Sequence, residues 1–183
     1  GVNYFNPEYE IYTRYSYSSN EKKGLSNPVV GRTIEDKDGN LWIGTEGGGL
    51  NYYNRRTREF KWYRPQEGRN SISHNNVKAL YYDADKEIIW IGTHLGGLNK
   101  LDIRSGHFTH YRMEEGNPNA LPSDIIRDII PYKSLLIIAT QNGVCLFDPA
   151  NGQCQQLFKD SKEGKSIKMV ADVTFDSEGT LWI

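Results

Sequence analysis

An all-β fold made of repeated four-stranded units is what this sequence predicts, and three observations carry the prediction. Twelve Tyr and 18 Gly are spread along 183 residues with many short apolar runs, a mix that suits short strands and tight turns rather than long helices. The stretch NLWIGTEGGGLNYY at 40–53 returns as IIWIGTHLGGLNKL at 88–101. Around both, apolar residues follow the two-residue period of strands, and the 3.6-residue pattern that a helical repeat of similar length needs is missing.

The repeat extends into its flanks. VVGRTIEDKDGNLW precedes one copy and VKALYYDADKEIIW the next, VADVTFDSEGTLWI closes the chain, and the degenerate IRDIIPYKSLLIIAT puts Ile137 where the others have tryptophan. The marker positions are therefore 42, 90, 137 and 182, spaced by 48, 47 and 45 residues. Downstream, GLNYYNRRTREFKWY, GLNKLDIRSGHFTHY and GVCLFDPANGQCQQLF correspond, and the opening GVNYFNPEYEIYTRY is the same segment of an earlier copy. Leu25, Ile72 and Leu121 each stand five positions before Val30, Val77 or Ile126.

In the second full copy the strands read A, VKALYYD; B, IIWIGTH; C, GLNKLDI; and D, HFTHYR, joined by turns and followed by the loop MEEGNPNALPSD. Four antiparallel strands per 45 to 50 residues or so is the period of β-propeller blades. The predicted division is strands C and D of a first blade with its linker at 1–27, blades at 28–71, 72–120 and 121–166, and strands A and B of a further blade at 167–183. Alternation in LWIGT places Trp42 on one sheet face and Ile43 on the other, as a sheet stacked between two neighbours requires. The glycines at 47–49, 96 and 97 suit a bend with positive φ. The two half-blades either combine into a fourth blade or belong to an arc of a larger ring, seven-bladed by expectation. Pairing of two chains into an eight-bladed ring is a further arrangement, since open strand edges seek partners.

A formal charge of −1 from 22 basic and 23 acidic residues leaves no basic footprint for nucleic acid. No apolar run approaches the roughly 20 residues of a membrane span, and the first residues do not resemble a signal peptide. Cys145 and Cys154 flank the turn DPANGQ, where a symmetric hairpin sets them diagonally on one face; a disulfide is geometrically marginal and two buried thiols are the alternative.

The pattern V-x-x-x-x-x-D-x-x-G-x-L-W-I-G-T-x-x-G-G-L-N resembles the two-component regulator propeller repeats. The resemblance is strongest at 28–54 and 72–102, and the third copy departs from it with Ile137 for Trp and Ala139 for Gly. It implies the periplasmic sensor region of a Bacteroides-type hybrid two-component system. Members of that family carry two seven-bladed propellers, a β-sandwich linker, one membrane helix, a histidine kinase, a receiver and a DNA-binding region. Their sensors bind oligosaccharides from polysaccharide breakdown and switch on the matching utilisation genes. The kinase lies outside this chain, which is expected to bind ligand without catalysis and without a cofactor.

Other chemistry fits less well. A phosphate loop needs its glycines between a strand and a helix, whereas strand-like residues follow Gly49. DKDGN at 36–40 starts like a calcium loop, but the sixth and twelfth positions from Asp36 are Leu41 and Gly47 rather than Gly and Glu; tight-turn chemistry accounts for it. His74, His94, His107 and His110 show neither metal-ligand nor triad spacing. A propeller glycoside hydrolase or lyase, or a protein-interaction propeller without a sugar ligand, are the alternatives.

A ligand site is expected where the D–A and B–C loops of several blades converge. The D–A loops supply Asn27, Ser73, His74, Asn75, Asn76, Ser123 and Asp124, and the B–C loops Thr45, Glu46, Thr93, His94, Thr140, Gln141 and Asn142. Arg32, Lys78 and Arg127, early in the A strands, are expected to face the central channel. Amides, hydroxyls and guanidinium forks suit sugar hydroxyls or uronate carboxylates. Tyr4, Tyr52, Tyr81, Tyr82 and Trp62 could stack on sugar rings, but packing between sheets is the weightier reading.

Overall fold

The computed structural model describes residues 2–6, 11–158, 167 and 169–183. Within them lie three four-stranded antiparallel sheets and two separate strand pairs. The first pair is β1 (Val2–Asn6) with β2 (Ile11–Tyr15). The first sheet orders β3 (Val30–Glu35), β4 (Leu41–Thr45), β5 (Gly49–Asn54) and β6 (Glu59–Tyr63). The second orders β7 (Val77–Asp83), β8 (Ile88–Thr93), β9 (Leu98–Asp102) and β10 (Phe108–Tyr111). In the third, β11 (Ile126–Tyr132), β12 (Leu135–Thr140), β13 (Gly143–Asp148) and β14 (Gln153–Leu157) follow in turn. The last pair is β15 (Thr174–Phe175) with β16 (Leu181–Trp182). No strand pairing joins the first pair to the last, so within the described residues they do not combine into one sheet.

The alternation anticipated at Trp42 and Ile43 sets the stacking. Trp42 packs toward the second sheet with Val77, Leu80, Ile89 and Phe108, and Ile43 packs the opposite way with Leu25, Tyr53, Phe60 and Val2. Trp90 does the same between the second and third sheets, among Ile126, Ile129, Ile138 and Phe147. Ile137, the degenerate marker, meets Val144, Val170 and Val173. Two apolar faces per sheet follow from this arrangement, and the core is a series of layers between sheets rather than one centre.

The bend between the second and third strands of each sheet depends on one residue type. Gly49 and Gly97 have φ of 81° and 68°, and a Cβ would lie 2.2 and 2.3 Å from the carbonyl oxygens of Tyr63 and Tyr111. Any side chain there would be strained and obstructed at once. The threonine before each bend closes it: Thr45 and Thr93 donate to the carbonyls of Gly49 and Gly97 at 2.8 and 2.9 Å, and Thr140 to that of Gly143 at 2.8 Å. The Asp36 carboxylate in DKDGN accepts the backbone N–H of Asp38 and Asn40 and the Trp42 indole N–H. Asp176 and Trp182 repeat that indole bond at 2.8 Å, which makes the aspartate both turn former and anchor for the marker tryptophan.

Outer strands leave an edge open, and the preceding linker covers it. Trp62 N–H donates to Glu21, Phe108 N–H to Asn70 at 2.6 Å, and Cys154 N–H to the Asn119 carbonyl at 2.7 Å.

Candidate functional site

Each first strand carries a bulge at its start, between Val30 and Thr33, Val77 and Ala79, and Ile126 and Asp128. An extra residue at such a point re-aims its side chain. Lys78 and Arg127 are those bulged residues, and both turn to the loop after a second strand: Lys78 pairs with Glu46 of the preceding sheet, and Arg127 donates to Gln141 Oε1 at 2.7 Å. Arg32 stands one position further along, equivalent to Ala79 and Asp128, so the three cations do not form one ring. It reaches past the second sheet, 2.8 Å from Asp128 Oδ1 and 3.9 Å from Asp172 Oδ1.

Backbone bonds join the two loop families on one face. Gly47 and Gly49 N–H donate to the Asn75 carbonyl, His94 N–H to that of Asn76, and Gly97 N–H to that of Asp124. Glu46, His94 and Gln141 consequently occupy equivalent places, next to the starts of the first strands. The His94 Nδ1 and Asn75 Oδ1 atoms are buried there without a hydrogen-bond partner. Lys78 holds the Glu46 carboxyl below its usual range.

Other predicted site residues are committed to the scaffold. Thr93, like Thr45 and Thr140, is fully buried with its hydroxyl on the bend carbonyl, which corrects the expectation that it meets ligand. Asp124 accepts Met113 N–H at 2.8 Å and lies 3.5 Å from Arg112. Asn142 is exposed but bonds back to the Pro122 carbonyl. Asn76 donates its N–H to His74 Nδ1 at 3.1 Å. Tyr52 lies 4.7 Å from Trp42, Tyr81 and Tyr82 pack on the layers, and Trp62 donates to the Gly24 carbonyl, so these aromatics pack. Of Tyr4 only the backbone is described.

Burial, with the nearby charges of His94 and Arg112, holds the His74 imidazole below its ordinary pKa of 6.5. The folded chain then binds this proton less tightly than the unfolded one, so its stability is intact above that pH and falls below it. Tm is expected to drop on acidification from about pH 7.5 to 5.5, and to drop less in His74→Gln. Equal slopes in the two proteins would place the effect on another group.

There are two clefts of about 460 Å³, the first of them formed by the D–A loop that leads into the third sheet. One is lined by Met113, Pro118, Leu121 and Gln156. The second runs along the first strands past Arg32, Leu80, Asp128 and Asp172. Asp128 is 3% exposed. Burial, and after it a hydrogen bond with Asp172, raises the Asp128 carboxyl; the same bond lowers that of Asp172. The Arg32 contact opposes the rise, but Arg32 itself is half exposed and its field is screened. The repeat aligns this pair, since Arg32, Asp128 and Asp172 each stand two residues after the first marker apolar residue of their copies, Val30, Ile126 and Val170, but the pair was not among the residues expected at the site.

The two-component regulator propeller family model matches residues 24–47 and 71–94, the spans that hold the first two markers. The chain carries two-component regulator propeller repeats. Among solved structures, an extracellular domain assigned to a hybrid two component system of Bacteroides thetaiotaomicron is 26% identical over 92% of this chain, with a TM-score of 0.77. Another extracellular domain from that organism is 24% identical over 97% of the chain, with a TM-score of 0.73, and shows the shared fold. This chain spans 24% of the length of each. No curated protein matches the chain. Among the described residues, no helix is long and apolar enough to cross a membrane.

Proposed function

We propose that this chain is part of the extracytoplasmic ligand-sensing domain of a hybrid two-component system. It recognises oligosaccharides from polysaccharide breakdown and controls carbohydrate-utilisation genes through a kinase carried elsewhere in the protein. The repeats and the likeness to extracellular sensor domains support the sensor role and the periplasmic location. One observation carries the ligand class: on a scaffold that repeats closely, the loop position that changes is Glu46, His94 and Gln141, set beside Lys78 and Arg127. Such a face offers a carboxylate, an imidazole, an amide and two cations, suited to hydroxyls and uronates.

The chain acts by binding. Asp128 and Asp172 are a carboxylate pair, but the Arg32 guanidinium lies against both, at 2.8 and 3.9 Å, and they are assigned to the scaffold. Among the described residues β1 and β16 each have one strand neighbour, and such edges suit further blades or a second copy of the chain; a compact monomer by light scattering would remove the second copy.

The test is calorimetric titration of the intact sensor with oligosaccharide pools. Arg127→Ala and Lys78→Ala are each expected to weaken binding by about tenfold, the equivalent of ~1.4 kcal/mol. Unchanged affinity in both would sink the loop-face assignment, and accumulation of cleaved sugar would favour an enzyme.

A further inference from the structure

We propose that Cys145 and Cys154 form a disulfide that fastens the third sheet where an asparagine fastens the other two. In the first sheet, Asn51 on β5 accepts the Ser26 N–H at 2.7 Å and donates to the Ile43 carbonyl. Asn99 on β9 does the same with Ser73 at 2.8 Å and Ile91. Both are fully buried, and both tie the linker that enters the sheet to its middle strands. Cys145 holds the equivalent place on β13, third in GVC against GLN, and brings no amide.

The second cysteine replaces another repeated residue. Phe60 pairs with Tyr53, Phe108 with Leu101, and Cys154 with Phe147, so Cys154 stands where two sheets have phenylalanine. The chain has only two cysteines. They are diagonal neighbours on one face of the same strand pair, and only this sheet changes both positions. Both are buried, and their Sγ atoms lie 2.8 Å apart. Twist of the strand pair brings this diagonal into the range a disulfide can span.

Burial explains when the bond would form. The closed sheet shields both thiols from solvent, so oxidation belongs to folding or to an opening of β14, whose one strand neighbour among the described residues is β13 and whose outer edge is held by the Asn119 carbonyl. Two S–H bonds break and one S–S bond forms. The two protons and two electrons pass to a disulfide-bearing oxidant, a small-molecule disulfide or a thiol–disulfide oxidoreductase, which is reduced to two thiols. The bond closes a short hairpin loop and restrains the outer strand in the unfolded chain as well.

The chain is equilibrated with glutathione disulfide in moderate urea, denatured, alkylated and digested without reduction. The expected product is a Cys145–Cys154 cross-linked peptide pair, two hydrogens lighter than the thiols and unalkylated. Reductant should lower Tm by roughly 5 °C, and Cys145→Ala with Cys154→Ala should abolish that response. Two alkylated thiols, or a separate glutathione adduct on each, would overturn the proposal. So would a cross-link whose reduction leaves Tm in place, since the bond would then fasten nothing. If the double variant does not fold, the peptide map of the unaltered chain decides alone. None of these readouts involves the oligosaccharide, so the two proposals fail separately.

Discussion

Trp90→Ala is expected to destabilise the chain by about 3–5 kcal/mol, the range for removing a large buried aromatic side chain. Trp90 is 1% exposed. Its ring centroid lies 5.4 Å from that of Phe147 across the layer and 6.0 Å from that of Tyr111. The backbone around the vacancy is three paired strands, which cannot slide inward without breaking ladder bonds, so the cavity would stay largely open. Because the layer belongs equally to the second and third sheets, the loss loosens the contact between them as well as the core of one. Urea unfolding followed by circular dichroism would read the change as a lower midpoint at nearly constant slope. A loss under about 1 kcal/mol would contradict stacking through the marker tryptophan.

The same tryptophans explain why so much of the fold was legible. Strands A to D of the second copy, read from alternation and turn residues, coincide with β7 to β10 to within a residue at each end. Ile137 lies in β12 as the spacing required, buried like the tryptophans it replaces. The site was less legible because its cations do not recur at one position: Arg32 stands two residues after Val30, whereas Lys78 and Arg127 stand one residue after Val77 and Ile126, and the bulge shared by all three strands sends these two neighbouring positions to different partners. Thr93 looks like a polar loop residue in sequence, yet the bend it closes takes its hydroxyl inward. Asn51 and Asn99 read only as the end of the motif GGLN, and their role emerges when Ser26 and Ser73 are seen to donate to them.

That role leads to the second large effect. Asn99→Leu is expected to cost about 1–3 kcal/mol, because the half-buried Ser73 N–H is left without its acceptor while the side-chain volume is nearly kept. An exposed asparagine lost from a turn would cost far less. The consequence should reach the proposed ligand face. Ser73 begins the segment His74–Asn76, whose backbone carbonyls receive the Gly47, Gly49 and His94 N–H groups, so releasing Ser73 frees the residues that position Glu46 and His94. Oligosaccharide affinity should therefore fall in Asn99→Leu although Asn99 is fully buried and touches no ligand. Chemical unfolding checks the first effect and calorimetry on the intact sensor checks the second. A stable Asn99→Leu chain with loss within about 0.5 kcal/mol would mean that the linker finds another acceptor. The third sheet shows how far such tolerance extends, since it has Cys145 in this position and must hold its linker by other means.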